Sequence, residues 1–221
     1  MSVAALIDHA GAILVAGGLL DQAAPFDEAA YQAAVAPVET GFVVPATTIS
    51  GLMRRFLFHV AAQSGAAAIY GAGTHVGFAF AFLALGRAQR PGRFQACGID
   101  IDPAATRIAA DNARLLSPDL PLVCRTADAV ADLAADTAPI GLLFIDVDDP
   151  ETRKGLYPAV LAAARPRLQP GALILAHDPL VPQFAQDFAA YHGRLRGDPG
   201  ILGPVVLPLD ECGLSVARVV S

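Results

Sequence analysis

The spacing of apolar positions changes character near residue 66. Ahead of it, apolar side chains recur at helical intervals. Leu6, Ile13, Leu14 and Leu20 form a weak helical face, and DEAAYQAAV forms a second short helical piece, with Pro25, Pro37 and Pro45 punctuating the region. Ile49, Leu52, Met53, Phe56, Leu57 and Val60 then follow the i, i+3, i+4, i+7 pattern of a helix lying on a core, with Thr47 or Thr48 as its expected N-cap. Beyond residue 66, short, mostly apolar runs alternate with helical stretches. Runs at 66–70, 94–99, 122–125, 141–145 and 172–176 predict strands. Between them, Asp102 and Pro103 open a helix that runs through Arg114. A second helix carries Leu156, Val160, Leu161, Ala164 and Leu168 and is expected to stop at Pro170-Gly171, and a third spans 182–192. Strands at 205–207 and 214–220, joined by the turn 208–213, close the chain as an antiparallel hairpin.

Alternating βα units finished by a hairpin imply a mostly parallel, twisted sheet with an antiparallel strand at one edge. The pattern therefore predicts a single α/β domain over 1–221, with a helical extension at 1–45 and a Rossmann-like core at 46–221. The core is a doubly wound, mostly parallel sheet of seven strands with an antiparallel edge hairpin. No repeat and no linker interrupts it.

Composition removes several function classes. No apolar run reaches the roughly 18 to 20 residues that span a bilayer. The stretch 12–20 has Asp8 and His9 ahead of it where a signal peptide has basic residues, so neither a membrane span nor a leader is expected. A formal charge of −6 and scattered arginines argue against nucleic acid as a partner. Cys97, Cys124 and Cys212 are odd in number and far apart, which fits neither a zinc spacing nor a disulfide framework. A reducing, cytoplasmic setting is the expectation.

Most of the chemistry is concentrated in 67–103. An apolar strand meets a glycine loop (Gly71, Gly73, Gly77), an apolar helix follows, and the next strand ends in Asp100. Glycines let backbone approach a ligand closely, and an acid at that strand tip can accept hydrogen bonds from a ribose diol. The unit points to a nucleoside-bearing cofactor, with S-adenosylmethionine and a dinucleotide as the candidates. The loop GAGTHVG has GxGxxxG spacing rather than the dinucleotide GxGxxG, and no second glycine fingerprint follows. In such sheets ligands sit over the carboxyl ends of the strands. Those ends carry Asp100, Asp128, Asp146 and His177-Asp178.

The segments YGAGTHVGFA, GIDIDP, TADA, FIDVDD, LQPGALILAHD and LPLDECGLSVARV, in that order, resemble the small S-adenosylmethionine-dependent O-methyltransferases, which include the catechol and caffeoyl-CoA enzymes. The resemblance covers roughly three quarters of the chain. It implies S-adenosylmethionine as cofactor and methyl transfer to a hydroxyl of a small-molecule acceptor. By position, Gly71, Ala72 and Gly73, with Gly77, would line the methionine moiety. Asp100 would hold the ribose hydroxyls, and Ala127 and Asp128 would lie near the adenine. Asp146 falls where metal-dependent members place a ligand, and His177 and Asp178 fall where they carry an aspartate-asparagine pair. Members of the family are often homodimers.

Two carboxylates and one imidazole (Asp146, Asp178, His177) suit magnesium, manganese or iron better than a structural zinc. The alternative is that His177 is a general base or orienting group and no metal binds. The chain also departs from the family. Ile69 and Tyr70 stand where an acid usually precedes the glycine loop. Asp149 stands where catalytic members carry a lysine. Lys154, the chain's sole lysine, lies eight residues past Asp146; it either reaches back to the catalytic cluster or is a solvated surface residue. Thr47, Thr48 and Ser50 match the segment that closes over the cofactor, although helix capping also explains them. His75, in the glycine loop, is either a ligand contact or a half-exposed loop residue. Asp148, Asp149 and Glu151 read as a solvated acidic loop, Tyr157 and Tyr191 as packing residues, and the cysteines as small core residues. Two rival functions stay open: a nicotinamide-dependent oxidoreductase using the same loop, and a degenerate methyltransferase fold acting as a binding module.

Overall fold

The computed structural model describes residues 1–45 and 48–221. Thr47, one of the two expected caps, lies outside the described residues. The described residues form seven strands in one sheet: β1 (Ala68–Ala72), β2 (Gln95–Asp100), β3 (Leu122–Thr126), β4 (Ile140–Ile145), β5 (Leu168–His177), β6 (Ile201–Leu207) and β7 (Leu214–Val219). Their order is β3-β2-β1-β4-β5-β7-β6, with the first five parallel and β7 antiparallel to both β5 and β6. The hairpin thus closes one edge as expected, but its second strand enters the sheet and its first forms the border.

Eight α-helices flank the sheet among the described residues: α1 (Val3–Ala16), α2 (Glu28–Gly41), α3 (Gly51–Ser64), α4 (Phe78–Arg87), α5 (Pro103–Arg114), α6 (Ala129–Ala135), α7 (Tyr157–Ala164) and α8 (Ala185–Gly197). Alternate residues of the central strands feed two cores. Ile69, Leu142, Phe144, Leu173 and Leu175 face α1–α4, while Tyr70, Leu143, Ile145 and Ile174 face α7 and α8. Both faces are covered, which is why these strands read as mostly apolar runs. The N-terminal helices share the first core: Ile7, Leu14, Tyr31 and Val35 pack with Phe56, Phe80 and Phe82.

Several boundaries differ from the sequence expectation for identifiable reasons. The α3 cap is Ser50, whose Oγ accepts from the Met53 N–H at 3.0 Å, and Ile49 lies just outside the helix. The helix carrying Leu156 to Ala164 ends before Pro166, and Leu168 already begins β5. Pro170-Gly171 falls inside that strand at a register shift against β4, with Gly171 at φ 87°, rather than stopping a helix. The sequence pattern showed nothing of α6, because only Leu133 of its seven residues is buried.

α3 and α4 cross in unusually close contact at Gly86. A Cβ there would stand 2.0 Å from the Phe58 carbonyl oxygen, so the helices meet at their backbones. Gly86→Ala is expected to force them apart and destabilise the fold by roughly 1–3 kcal/mol net, with Tm falling about 2–4 °C for each kcal/mol. Thermal unfolding by circular dichroism measures this; an unchanged Tm would refute the contact.

Candidate active site

The carboxyl ends of the parallel strands surround a cavity of about 1010 Å³. β1 runs into a tight turn. The Gly73 and Thr74 N–H groups donate to the Ile99 carbonyl at 2.9 and 3.1 Å, and the Gly77 N–H donates to the Thr74 carbonyl at 2.8 Å. Gly73 sits at φ 77°, and a Cβ on it would lie 2.6 Å from the carbonyl group of Asp146 and from the Val147 Cα. Only glycine lets the turn come this close to the end of β4.

Asp100, at the tip of β2, ties that turn down. Its Oδ2 accepts from the His75 N–H at 2.6 Å and its Oδ1 from the Asp102 N–H at 3.0 Å. A carboxylate offers about four acceptor positions, so each oxygen keeps capacity toward the cavity that Asp100 lines. His75 is exposed at φ 48° on the cavity wall. Asp102 caps α5 through a 2.7 Å bond from the Ala104 N–H. At the β3 end, Ala127 and Asp128 also line the cavity. Asp128 caps α6 by accepting from the Ala131 N–H at 2.8 Å.

Of Gly71, Ala72, Gly73 and Gly77, only Gly73 lines the cavity. Gly71 belongs to β1, where a Cβ would lie 2.6–2.7 Å from Thr74 and Phe80. Ala72 is fully buried. Gly77 starts α4 against the Ala109 side chain. Their small size serves packing within and beneath the turn.

The tips of β4 and β5 and the loop after β4 hold an ionic cluster. Lys154 Nζ lies 2.9 Å from Asp146 Oδ1 and 2.8 Å from Asp178 Oδ2, and is only 2% exposed. The solvated reading of this lysine is therefore incorrect. The intervening loop turns back sharply. Asp149 and Arg153 exchange backbone hydrogen bonds at 3.0 and 2.8 Å, and Asp149 Oδ1 accepts from the Glu151 and Thr152 N–H groups and the Thr152 hydroxyl. Asp149 is thus the organiser of a tight turn as well as part of an acidic stretch. His177 Nδ1 lies 3.1 Å from Asp178 Oδ1 and 3.5 Å from Asp146 Oδ2, and its buried Nε2 has no partner among the described residues. Tyr157, buried beneath, donates its hydroxyl to the His177 carbonyl at 3.2 Å. Asp178 adopts φ 74°, in the left-handed region that residues other than glycine seldom occupy.

Burial works against every charge in this cluster, and the partners outweigh it. Desolvation pushes Asp146 up, but His177 and Lys154 beside it hold its carboxyl below the ordinary range. Desolvation pushes Lys154 down, but Asp146 and Asp178 leave it raised. His177 follows the same pattern: burial lowers it, while Asp146 and Asp178 raise it above the ordinary imidazole value.

The proposed metal set does not fit a divalent cation. The space between Asp146 and Asp178 is filled by the Lys154 ammonium, so both carboxylates already have their countercharge. Cys212 joins His177 and Asp178 in a group whose potential ligand atoms lie within 4.8 Å of one another. Burial and the nearby Asp178 push its thiol up to about 12.

Sequence reasoning missed other parts of the wall. Glu211 and Cys212 arrive from the β6–β7 turn, and Phe184 and Val181 come from the segment before α8. Pro45 and Ile49 reach the cavity from the N-terminal side beside Thr48, which the sequence had already matched to the segment that closes over the cofactor. Asn112 helps anchor that approach. Its Nδ2 donates to the Val43 and Val76 carbonyls at 3.0 and 2.9 Å, and its Oδ1 accepts from the Val43 N–H at 2.9 Å. An asparagine in the last turn of a helix gives no sequence sign of such a clamp.

Comparison with known proteins places this geometry. The O-methyltransferase TomG from Streptomyces achromogenes, involved in tomaymycin synthesis and solved in complex with SAM, superimposes with a TM-score of 0.69 at 18% identity, covering 100% of both chains. The O-methyltransferase from Bacillus cereus in complex with SAH gives 0.68 at 18% identity, covering 96% of this chain and 99% of that one. SAH-bound methyltransferase PaMTH1 from Podospora anserina gives 0.68 at 14%, covering 95% of each. No curated protein matches the sequence. A dinucleotide-binding sheet has strand order 3-2-1-4-5-6, whereas here the reversed β7 is inserted beside β5. Residues 71–179 match the model of a methyltransferase domain. The chain therefore carries a match to a methyltransferase domain over 71–179 and has the mostly parallel, seven-stranded fold of the O-methyltransferases on which it superimposes.

Proposed function

We propose that this protein transfers the methyl group of S-adenosylmethionine to a hydroxyl of a small-molecule acceptor. One observation carries the reading: a single cavity is lined by an acid suited to a diol, Asp100, at the tip of β2 and by a buried imidazole flanked by two carboxylates at the tips of β4 and β5. Asp100 has acceptor capacity for the ribose hydroxyls, the turn at Gly73 borders the methionine end, and Ala127 and Asp128 border the adenine. S-adenosylmethionine supplies a methyl group on a sulfonium, which is electrophilic without further activation. The acceptor oxygen forms its bond to the methyl carbon as the carbon–sulfur bond breaks and the bonding pair stays on sulfur.

The acceptor's proton goes to His177. Nδ1–H donates to Asp178, and that bond sets the tautomer and leaves Nε2 as a lone pair. The resulting imidazolium is stabilised by Asp146 and Asp178. Lys154 holds those two carboxylates in place and so positions the base. Proximity and in-line alignment within the cavity supply the rest of the acceleration.

No helix among the described residues is long and apolar enough to cross a membrane. The three cysteines are free, in keeping with a reducing, cytoplasmic setting. Asp100→Ala is expected to weaken S-adenosylhomocysteine binding by roughly 1–3 kcal/mol, the loss of charged hydrogen bonds. Isothermal calorimetry on wild type and variant, with thermal unfolding as a folding control, tests this. A wild type that does not bind S-adenosylhomocysteine would overturn the function; equal affinities would overturn the role of Asp100.

A further inference from the structure

We infer that Lys154 is a tethered cation that takes the place of a divalent metal between Asp146 and Asp178, so that this chain carries out its chemistry without one. The consequence for catalysis rests on the methyl-transfer reading; the geometry does not. Two carboxylates brought together at the tips of β4 and β5 repel each other and would draw a cation from solution. Here the cation comes from within the chain, at 2.9 and 2.8 Å from the two carboxylates. The faces of Tyr157 and Phe184 lie 5.5 Å from the same nitrogen, so the ammonium is enclosed by carboxylates and aromatic rings.

The choice of residue supports the inference. The chain has 15 lysine and arginine side chains, and this is the sole lysine. Guanidinium is broad and planar, whereas ammonium is a compact point charge, the nearer match to a metal ion. The Asp149-centred turn, with Arg153 at φ 54°, brings that side chain back across eight residues. Unlike a metal ion, the ammonium has no vacant coordination position with which to bind and acidify an acceptor hydroxyl. Removal of the proton therefore falls to His177.

The test is titration with Mn2+ alone, followed by the loss of the free-ion electron paramagnetic signal. Wild type, Lys154→Ala, Asp146→Asn and the Asp146→Asn/Lys154→Ala double variant are compared, with folding checked by circular dichroism. Wild type is expected to bind no stoichiometric Mn2+. Lys154→Ala is expected to bind one per chain at least about tenfold more tightly than wild type, and the double variant is expected to lose that gain. Stoichiometric binding by wild type that Asp146→Asn removes would overturn the inference, as would a folded Lys154→Ala with no gain. Should Lys154→Ala not fold, the wild-type and Asp146→Asn titrations still decide. S-adenosylhomocysteine titrated in parallel keeps the two readings apart: its failure to bind wild type removes the methyl-transfer reading and leaves the cation assignment standing.

Discussion

His177→Gln is expected to lower methyl transfer by roughly 100- to 10,000-fold, the usual contribution of a positioned general base, while S-adenosylhomocysteine affinity stays close to that of wild type. The separation follows from the site's layout. Asp100 is at the tip of β2 and the imidazole at the tip of β5 between Asp146 and Asp178, with β1 and β4 lying between those two strands. Glutamine can donate a hydrogen bond to Asp178 but cannot take a proton. The pH profile supplies a second readout. A base must be neutral to act, so kcat/KM should rise as pH increases through the His177 pKa. Burial opposes the imidazolium, but Asp146 and Asp178 raise that pKa, so the midpoint should lie above the ordinary value of about 6.5. His177→Gln should lack this limb. The acceptor is identified by following S-adenosylhomocysteine formation across a panel of phenols and catechols. A variant that keeps both the wild-type rate and the limb would remove His177 from the mechanism.

Gly73→Ala is expected to damage stability and cofactor binding together. An alanine at φ 77° pays roughly 1–2 kcal/mol in backbone strain. Its Cβ would also stand 2.6 Å from the Asp146 carbonyl group and the Val147 Cα, which are backbone atoms with no rotamer to escape into. Relieving that overlap is worth a further 1–3 kcal/mol or so, and it must move either the turn or the end of β4. Either movement disturbs the site, because the turn is hydrogen-bonded to Ile99 and Asp100 while β4 carries Asp146. The expected result is a Tm lower by roughly 2–4 °C per kcal/mol, with S-adenosylhomocysteine affinity reduced by about tenfold or more for each 1.4 kcal/mol lost. Differential scanning fluorimetry and calorimetry measure the two effects. Normal values for both would show that the close approach at Gly73 is not required.

Fold class and the main strands were legible because burial on both faces leaves a strong local mark. Leu142, Leu143, Phe144 and Ile145 face alternate cores and still read as one apolar run. α6 left no comparable mark, since one buried leucine in seven residues makes no periodicity. Asp100 was legible because the strand tip and the capped helix after it are adjacent in sequence. Gly71 and Gly77 matched a motif whose spacing does not separate a glycine facing a ligand from one facing a helix or an underlying side chain.

The catalytic wall divides the same way. Residue types alone identified Asp146, His177 and Asp178 as a cluster at neighbouring strand ends, because the β4–β5 pairing follows from the alternating pattern. They did not say what holds that cluster together. Lys154 lies beyond an acidic loop and gives no signal of direction; only the Asp149–Arg153 turn sends it back into the site. The sheet and the chemical types at the strand tips could thus be read from the chain, because local pattern carries both. Where Lys154 goes could be read only from the fold: its ammonium stands between the two carboxylates, and a countercharge is set by distance in space and not by separation along the chain.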